Sequence, residues 1–268
     1  MGFGSAVTIA PVRRYLLRIS YDGSRFPEMA TGGTGFGVVD MLYQTICDSL
    51  FGTKRIANPL RESLKLSPSS RKYTYRLAVV RDWERWDSVQ EHPTTACFSE
   101  KDYAWRLPPG FSPEKALDAC SLFIGEQVMG SFFKHTAREK RKELHQPSAV
   151  KKILLCQLSK GAPYSVENSI YDYYNVTIVA RSFVREQIRR MMSCIVFRGY
   201  DRLPMETIRW LLKNPISTNF YDIRIPIAPP QGLFLVDVVY PPEMFTNPFP
   251  YYRHYWDYPA ENCLIEDS

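Results

Sequence analysis

The run YNVTIVARSFVREQIRRMM, Tyr174 to Met192, constrains the fold more than any other part of this sequence. Its first half reads as a half-buried strand, and its second half sets Ile188, Met191, Met192 and Ile195 at helical core spacing. The chain must therefore combine sheet and helix. The helix is also studded with arginine: Arg185, Arg189 and Met192 share a face by their i, i+4, i+7 spacing, which sets Arg189 at the border between core and cleft. A guanidinium so placed calls for an anion, either a carboxylate or a phosphate. The alternative is a solvated arginine lying over its neighbours.

The same two periods recur along the chain. RRYLLRISYDG reads as a strand ending in an Asp22–Gly23 turn, and RKYTYRLAVV as a second strand with Tyr73, Tyr75, Leu77 and Val79 on one face. AVKKILLCQLS, YYNVTIVARSF and GLFLVDVVYPP supply further strands. VVDMLYQTICDSLFG reads as a helix with a stripe of Val38, Met41, Leu42, Thr45 and Ile46, closed by Gly52. SPEKALDACSLFIG is well punctuated: Ser112 as N-cap, Pro113 at the first position, Leu117, Cys120 and Ile124 inward, Gly125 past the end. LPMETIRWLLKN adds a helix with Pro204 near its start. Strands and helices interleave without regular βαβ spacing, which predicts an α+β fold, a mostly antiparallel sheet flanked by helices.

Composition narrows the function. The six cysteines are scattered without a CxxC pair, the four histidines lack HExxH spacing and no GxSxG elbow occurs, so metal hydrolysis and serine acyl transfer lose their usual signatures. The thiols read as buried and reduced, not as a disulfide frame or a zinc site. No window approaches a membrane span, so an intracellular protein of cytoplasm or mitochondrion is expected. TGGTGFG, Thr31 to Gly37, fits neither phosphate-loop spacing and reads as a connector. The net charge of +6 is unevenly placed. KHTAREKRKELHQPSAVKK, with Lys140 and Arg141, and the arginines from Arg181 to Arg198 carry it. Both concentrations read either as solvated surface or as a face for a polyanion such as RNA. In SSRKYTYRL, Tyr73 is either a core-edge aromatic or a ring for an unstacked base, with Arg71, Lys72 and Arg76 beside the backbone.

SRKYTYR, RSFVREQIRRMM and PQGLFLVDVVYP stand in the order and approximate spacing of the TruA family of tRNA pseudouridine synthases, which the chain resembles. YLLRISYDGSRF and LFIGEQVMGSFFK resemble that family too, and the SFxRxQxRRM form is closest to eukaryotic members. The resemblance runs from about Arg14 to Pro242. It implies two joined halves around a basic cleft: a shortened N-terminal half over residues 14–110, a C-terminal half over 111–242, and an aromatic, proline-rich tail over 243–268. It implies isomerisation of an extruded uridine in tRNA without metal or organic cofactor, with tRNA as partner and a homodimer as assembly. Tyr73 falls on the family's uridine-stacking tyrosine, Gly232, Leu233 and Leu235 on its pocket strand, and Arg189 on the arginine that keeps the nucleophilic aspartate ionised. Arg71, Lys72, Arg76, Arg185, Arg190, Lys140 and Arg141 are expected to hold RNA.

One departure matters. The family carries its aspartate in an RTDxGVH loop ahead of the SRKYTYR strand, whereas here that interval, Thr53 to Ser69, contains no aspartate. A chain without the nucleophile is expected to be catalytically impaired. The alternative function is a non-catalytic RNA-binding protein, or a ribonucleoprotein subunit, using the same cleft.

Overall fold

The computed structural model describes residues 19–26, 36–51, 68–92, 94–134, 149–164 and 167–242. The chain divides into two compact units, residues 1–64 with 241–268 and residues 65–240. In the first, helix α1 (Val38–Phe51) forms where the apolar period places it. Val38 and Val39 are buried while Met41 and Thr45 are exposed, so the inward face is turned from the predicted stripe. The Thr45 hydroxyl is satisfied within the helix, donating to Met41 O at 2.8 Å, and needs no burial. Ile19 to Asp22 are not in a strand, and a 3-10 turn over Gly23–Arg25 follows them. Gly52 and the tail beyond Pro242 lie outside the described residues.

The second unit is built on β1 (Ser70–Val80). Along one edge β1 pairs antiparallel with β5 (Tyr171–Ala180) from Arg71↔Ala180 to Val80↔Tyr171. Its other edge is shared between two strands. β6 (Leu233–Val239) runs antiparallel along Ser70–Tyr75, and β2 (Trp105–Leu107) runs parallel along Leu77–Val79. β4 (Val150–Lys160) and β3 (Gly125–Val128) complete the order β2–β1–β5–β4–β3, with β6 on β1. The sheet is mixed and mostly antiparallel, and the fold is α+β. The strands of 70–107 and those of 125–239 thus form one sheet.

Both faces of β1 are covered, which explains why YRLAVV reads as a nearly continuous apolar run. Tyr75, Leu77 and Val79 join Val176, Ile178, Ile153 and Cys156 in the larger core, with α4 (Pro113–Phe123) and α5 (Gln187–Gly199) packed on it. On the opposite face Ala78 and Val80 meet Tyr171, Tyr173, Cys97 and Ala104, with Trp86 and Val89 of α2 (Trp83–Glu91) against them. Helix α2 and the short α3 (Thr95–Glu100) were not expected from the sequence, because α2 buries no residue completely and shows no wide apolar stripe.

Helix α4 starts as predicted: the Ser112 hydroxyl accepts from Lys115 N at 3.3 Å, and Gly125 follows the end at φ +96°. Its inward face differs. Ala116, Ala119, Cys120 and Phe123 are buried, while Leu117 and Ile124 are exposed. Small alanines allow the helix to approach α5 and β4 closely, a preference that a search for large apolar residues overlooks.

Helix α5 begins at Gln187, later than the spacing of Arg185 requires. Its N-cap Glu186 is left-handed, φ 63°, and the Gln187 side chain accepts from Val184 N at 2.9 Å. Arg185 therefore precedes the helix, and Met192 is wholly buried, so the predicted Arg185–Arg189–Met192 face does not exist. Helix α6 (Met205–Lys213), capped by Pro204, and the short α7 (Asn219–Asp222) follow.

Candidate functional site

The larger core thins towards the start of β1, and there Tyr73, Leu233 and Leu235 come together. Tyr73 is half-buried on the same face as Tyr75 and Leu77, two residues apart in each step of the strand. Directly across the ladder stand Leu235 for Tyr73 and Leu233 for Tyr75. A bulge between Lys72 and Tyr73 re-aims the strand at this point. Phe183, from the β5–α5 loop, meets Tyr73 edge to face, with ring centroids 5.2 Å apart at 87°. Leu235 remains 45% exposed. The result is an aromatic and aliphatic floor, open at one side.

Arg189 reaches this face from α5. Its Nε donates to Ala228 O at 2.6 Å, while the Tyr75 hydroxyl donates to the neighbouring Pro229 O at 2.5 Å. Ala228 N donates in turn to Ser193 Oγ at 2.7 Å, and Ser193 Oγ donates to Arg189 O at 3.1 Å. Burial pushes the Tyr75 phenol above the ordinary tyrosine range, and the Arg189 charge opposes that rise. Two elements far apart in sequence are thereby tied to one loop, which continues into Gly232 and β6. Gly232 has φ +92°, and its carbonyl accepts from Arg76 N at 2.8 Å. Among the described residues no carboxylate forms an ion pair with Arg189.

Cations rim the floor. Arg71 Nη1 donates to Arg181 O at 3.4 Å, and Lys151 Nζ donates to Ser182 Oγ at 3.1 Å. Burial lowers the Lys151 pKa, so its charge is held against a desolvation cost. Arg181 and Arg185 are exposed on the same loop. The nearby carboxylate, Glu186, is engaged by Lys134 at 3.1 Å and Arg190 at 3.3 Å. The rim keeps a positive excess.

Two arginines expected to touch RNA are structural instead. Arg190 is fully buried, and its guanidinium donates to Ser131 O at 2.9 Å, Tyr221 Oη at 2.8 Å and Glu186 while lying over the Phe220 and Tyr221 rings. One residue along the helix from Arg189, it is rotated about 100° and points inward. Arg76 alternates to the other face of β1 from Tyr73. There it pairs with the buried Glu100 at 3.0 Å and donates to Tyr103 O at 2.9 Å and Ala162 O at 2.8 Å. Lys72 is exposed on that alternate register, opposite Asp237. Lys140 and Arg141 lie outside the described residues.

Sequence reading passed over Phe183, Glu186 and Gln187. All three lie within the RSFVREQIRRMM stretch, where a bulky ring at the strand exit and an acid–amide pair at a helix start were available signals. Lys151 belongs to the basic concentration read from the sequence, and the β4–β5 pairing sets it beside Ser182. Chemically the arrangement can stack a planar ring, bind an anion at its rim and present Arg189 to an incoming acid. Among the described residues no cluster of His, Cys, Asp and Glu could hold a metal ion, and no helix is long and apolar enough to cross a membrane.

The sequence model of a family described as tRNA pseudouridine synthase matches residues 119–241. The tRNA pseudouridine synthase A of Actinobacillus pleuropneumoniae is 37% identical over 158 residues, 56% of this chain and 52% of that protein. That of Glaesserella parasuis is 27% identical over 158 residues, 54% of this chain and 53% of that protein. The tRNA pseudouridine synthase-like 1 of Xenopus laevis is 26% identical over 174 residues, 64% and 53%. The chain spans about half the length of these curated relatives. By these matches, and by the ordered motifs that form this face, the chain is similar to the tRNA pseudouridine synthases.

Proposed function

We propose that this chain binds tRNA at the Tyr73–Leu235 face in the manner of a uridine-isomerising enzyme, and that its own turnover is impaired. The reading is carried by one observation: Tyr73, Leu233 and Leu235 lie on one sheet face in direct register, with Arg189 tied to the loop that leads into that same strand. A flipped uridine would stack on the Tyr73 ring, and its phosphates would meet Arg71, Lys151, Arg181 and Arg185. Arg189, without an acid to pair with among the described residues, would meet the carboxylate of a nucleophile.

The interval Thr53 to Ser69 contains no aspartate, and its one acidic residue is Glu62. Exchange of the carbon–nitrogen glycosidic bond for a carbon–carbon one through a covalent aspartyl intermediate therefore has no nucleophile at that position in this chain. That absence favours the second reading, an RNA-binding protein or ribonucleoprotein subunit that keeps the family's cleft without its chemistry. A homodimer, with tRNA bridging the subunits, and a cytoplasmic or mitochondrial site of action complete the proposal.

The test uses purified chain and a tRNA transcript. Filter binding should show tRNA retention that falls steeply with salt, and mass spectrometry of the recovered tRNA should show no pseudouridine. Arg71→Ala and Arg185→Ala should each reduce the salt slope by about one. Pseudouridine that appears with the wild-type chain and disappears with Arg189→Ala would overturn the impairment; loss of all tRNA binding would overturn the reading itself.

A further inference from the structure

A cavity of about 660 Å³ lies at the outer edge of β2, and neither Tyr73 nor Arg189 lines it. That volume is inside the range of about 300–1,000 Å³ common for small-molecule clefts. Its walls combine Trp86 of α2, Trp105 of β2 and Tyr171 of β5 with Lys101 and Arg106. The third charged residue in its lining is Asp102, so two cations face one carboxylate and the mouth is net positive. Lys101, Asp102 and Arg106 are exposed, and none forms an ion pair among the described residues.

Three features make this a built site rather than a packing gap. Ala104, Trp105 and Arg106 line it in succession, so the backbone of an edge strand, unpaired on its outer side among the described strands, runs along the wall. Edge backbone offers donors and acceptors to a flat polar ring. The aromatic rings are set by their own contacts: Trp105 stands edge-on to Tyr75 at 6.2 Å, and the Tyr171 hydroxyl donates to Cys97 Sγ at 3.5 Å. Arg106 lies close enough to the Tyr171 phenol to oppose the rise that burial causes in its pKa. Aromatic faces beside cations free of ion pairs are the combination that unstacked nucleotides select, the base on a ring and the phosphate on the charges.

We propose that this cavity is a second nucleotide site, which takes one nucleoside monophosphate unit with its base against Trp86 and its phosphate on Lys101 and Arg106. The inference goes beyond the uridine-binding reading and does not require it, since Tyr73, Leu235 and Arg189 are not among the lining residues. The site nevertheless communicates with that face. Pro229 lines the cavity and accepts the Tyr75 hydroxyl, so an occupant bears on the loop that carries the Arg189 anchor.

Tryptophan fluorescence of the full chain, titrated separately with AMP, UMP and a single-stranded octaribonucleotide, tests the assignment. Saturable quenching is expected, and Arg106→Glu or Trp86→Ala should weaken it at least about tenfold, with Arg106→Lys restoring most of it. Both altered side chains lie at the surface or half-buried, and unchanged thermal midpoints will exclude misfolding. Quenching by AMP or UMP assigns a free mononucleotide as ligand; quenching by the octamer alone assigns a nucleotide within RNA. Tyr73→Ala should leave mononucleotide quenching intact, which separates this site from the uridine face. Absence of saturable quenching by any of the three, or quenching indifferent to Arg106→Glu and Trp86→Ala alike, would overturn the proposal.

Discussion

The phenol of Tyr75 and the guanidinium of Arg189 hang from adjacent carbonyls, Pro229 O at 2.5 Å and Ala228 O at 2.6 Å. A strand residue and a helix residue are thus held on one short loop, and that loop enters the strand facing Tyr73. The geometry of the candidate site depends on this double anchor more than on any contact between the site residues themselves.

Tyr75→Phe should expose that dependence. The half-buried carbonyl of Pro229 loses its donor, at a cost of about 0.5–1.5 kcal/mol. Urea unfolding should show a lower midpoint with unchanged m-value. Retention of tRNA should weaken as well, although Tyr75 itself is buried and cannot touch RNA.

The neighbouring arginines should behave oppositely. Arg190→Ala leaves Glu186, Ser131 O and Tyr221 Oη facing a hole in the core, so a loss of about 3–5 kcal/mol is expected. Arg189→Ala removes one half-buried donor, and its effect on the thermal midpoint should be small while tRNA binding suffers. Equal destabilisation of the two variants would contradict the placement of their side chains.

Gly232→Ala combines two costs. The residue sits at φ +92°, and an added Cβ would come within 2.7 Å of Arg76 O, a backbone atom. Gly110, at φ +95°, has nothing within 4 Å of its added Cβ and isolates the conformational part. Gly110→Ala should therefore cost about 1 kcal/mol. Gly232→Ala should cost distinctly more in the same denaturation experiment and should impair tRNA retention.

Alkaline pH should unfold the protein through its tyrosines. Burial raises the Tyr75, Tyr171 and Tyr200 phenols above their ordinary value of 10.0. Their neutral forms are favoured in the folded state, so the folded protein holds these protons while the unfolded chain releases them. Stability is full below about pH 10 and declines as pH rises beyond it. Absorbance near 295 nm should show an exposed tyrosine class titrating first and a buried class titrating together with loss of circular dichroism. Complete titration of all tyrosines with the fold intact would refute this.

Much of the architecture was legible because its period was strong. β1, β4, β5, β6, α4 and α5 all fall where alternation or core spacing places them, and the Ser112 cap and Gly125 stop mark α4 by the chemistry of their side chains. Helix α2 escaped because none of its residues is fully buried, and β2 because three residues carry too little period to be seen. The inward face of α4 was misjudged at Leu117 and Ile124 because close helix packing selected alanine over leucine.

Residue order alone established the elements, the motif series and the absence of an aspartate between Thr53 and Ser69, since each is a property of local pattern. Only tertiary structure decided which cations face outward. A left-handed Glu186 sets where α5 begins, strand alternation turns Arg76 away from Tyr73, and a single helical step separates a core guanidinium from one at the site. The phase of a helix and the side of a strand come from what packs against them, and that contact joins residues remote in the chain.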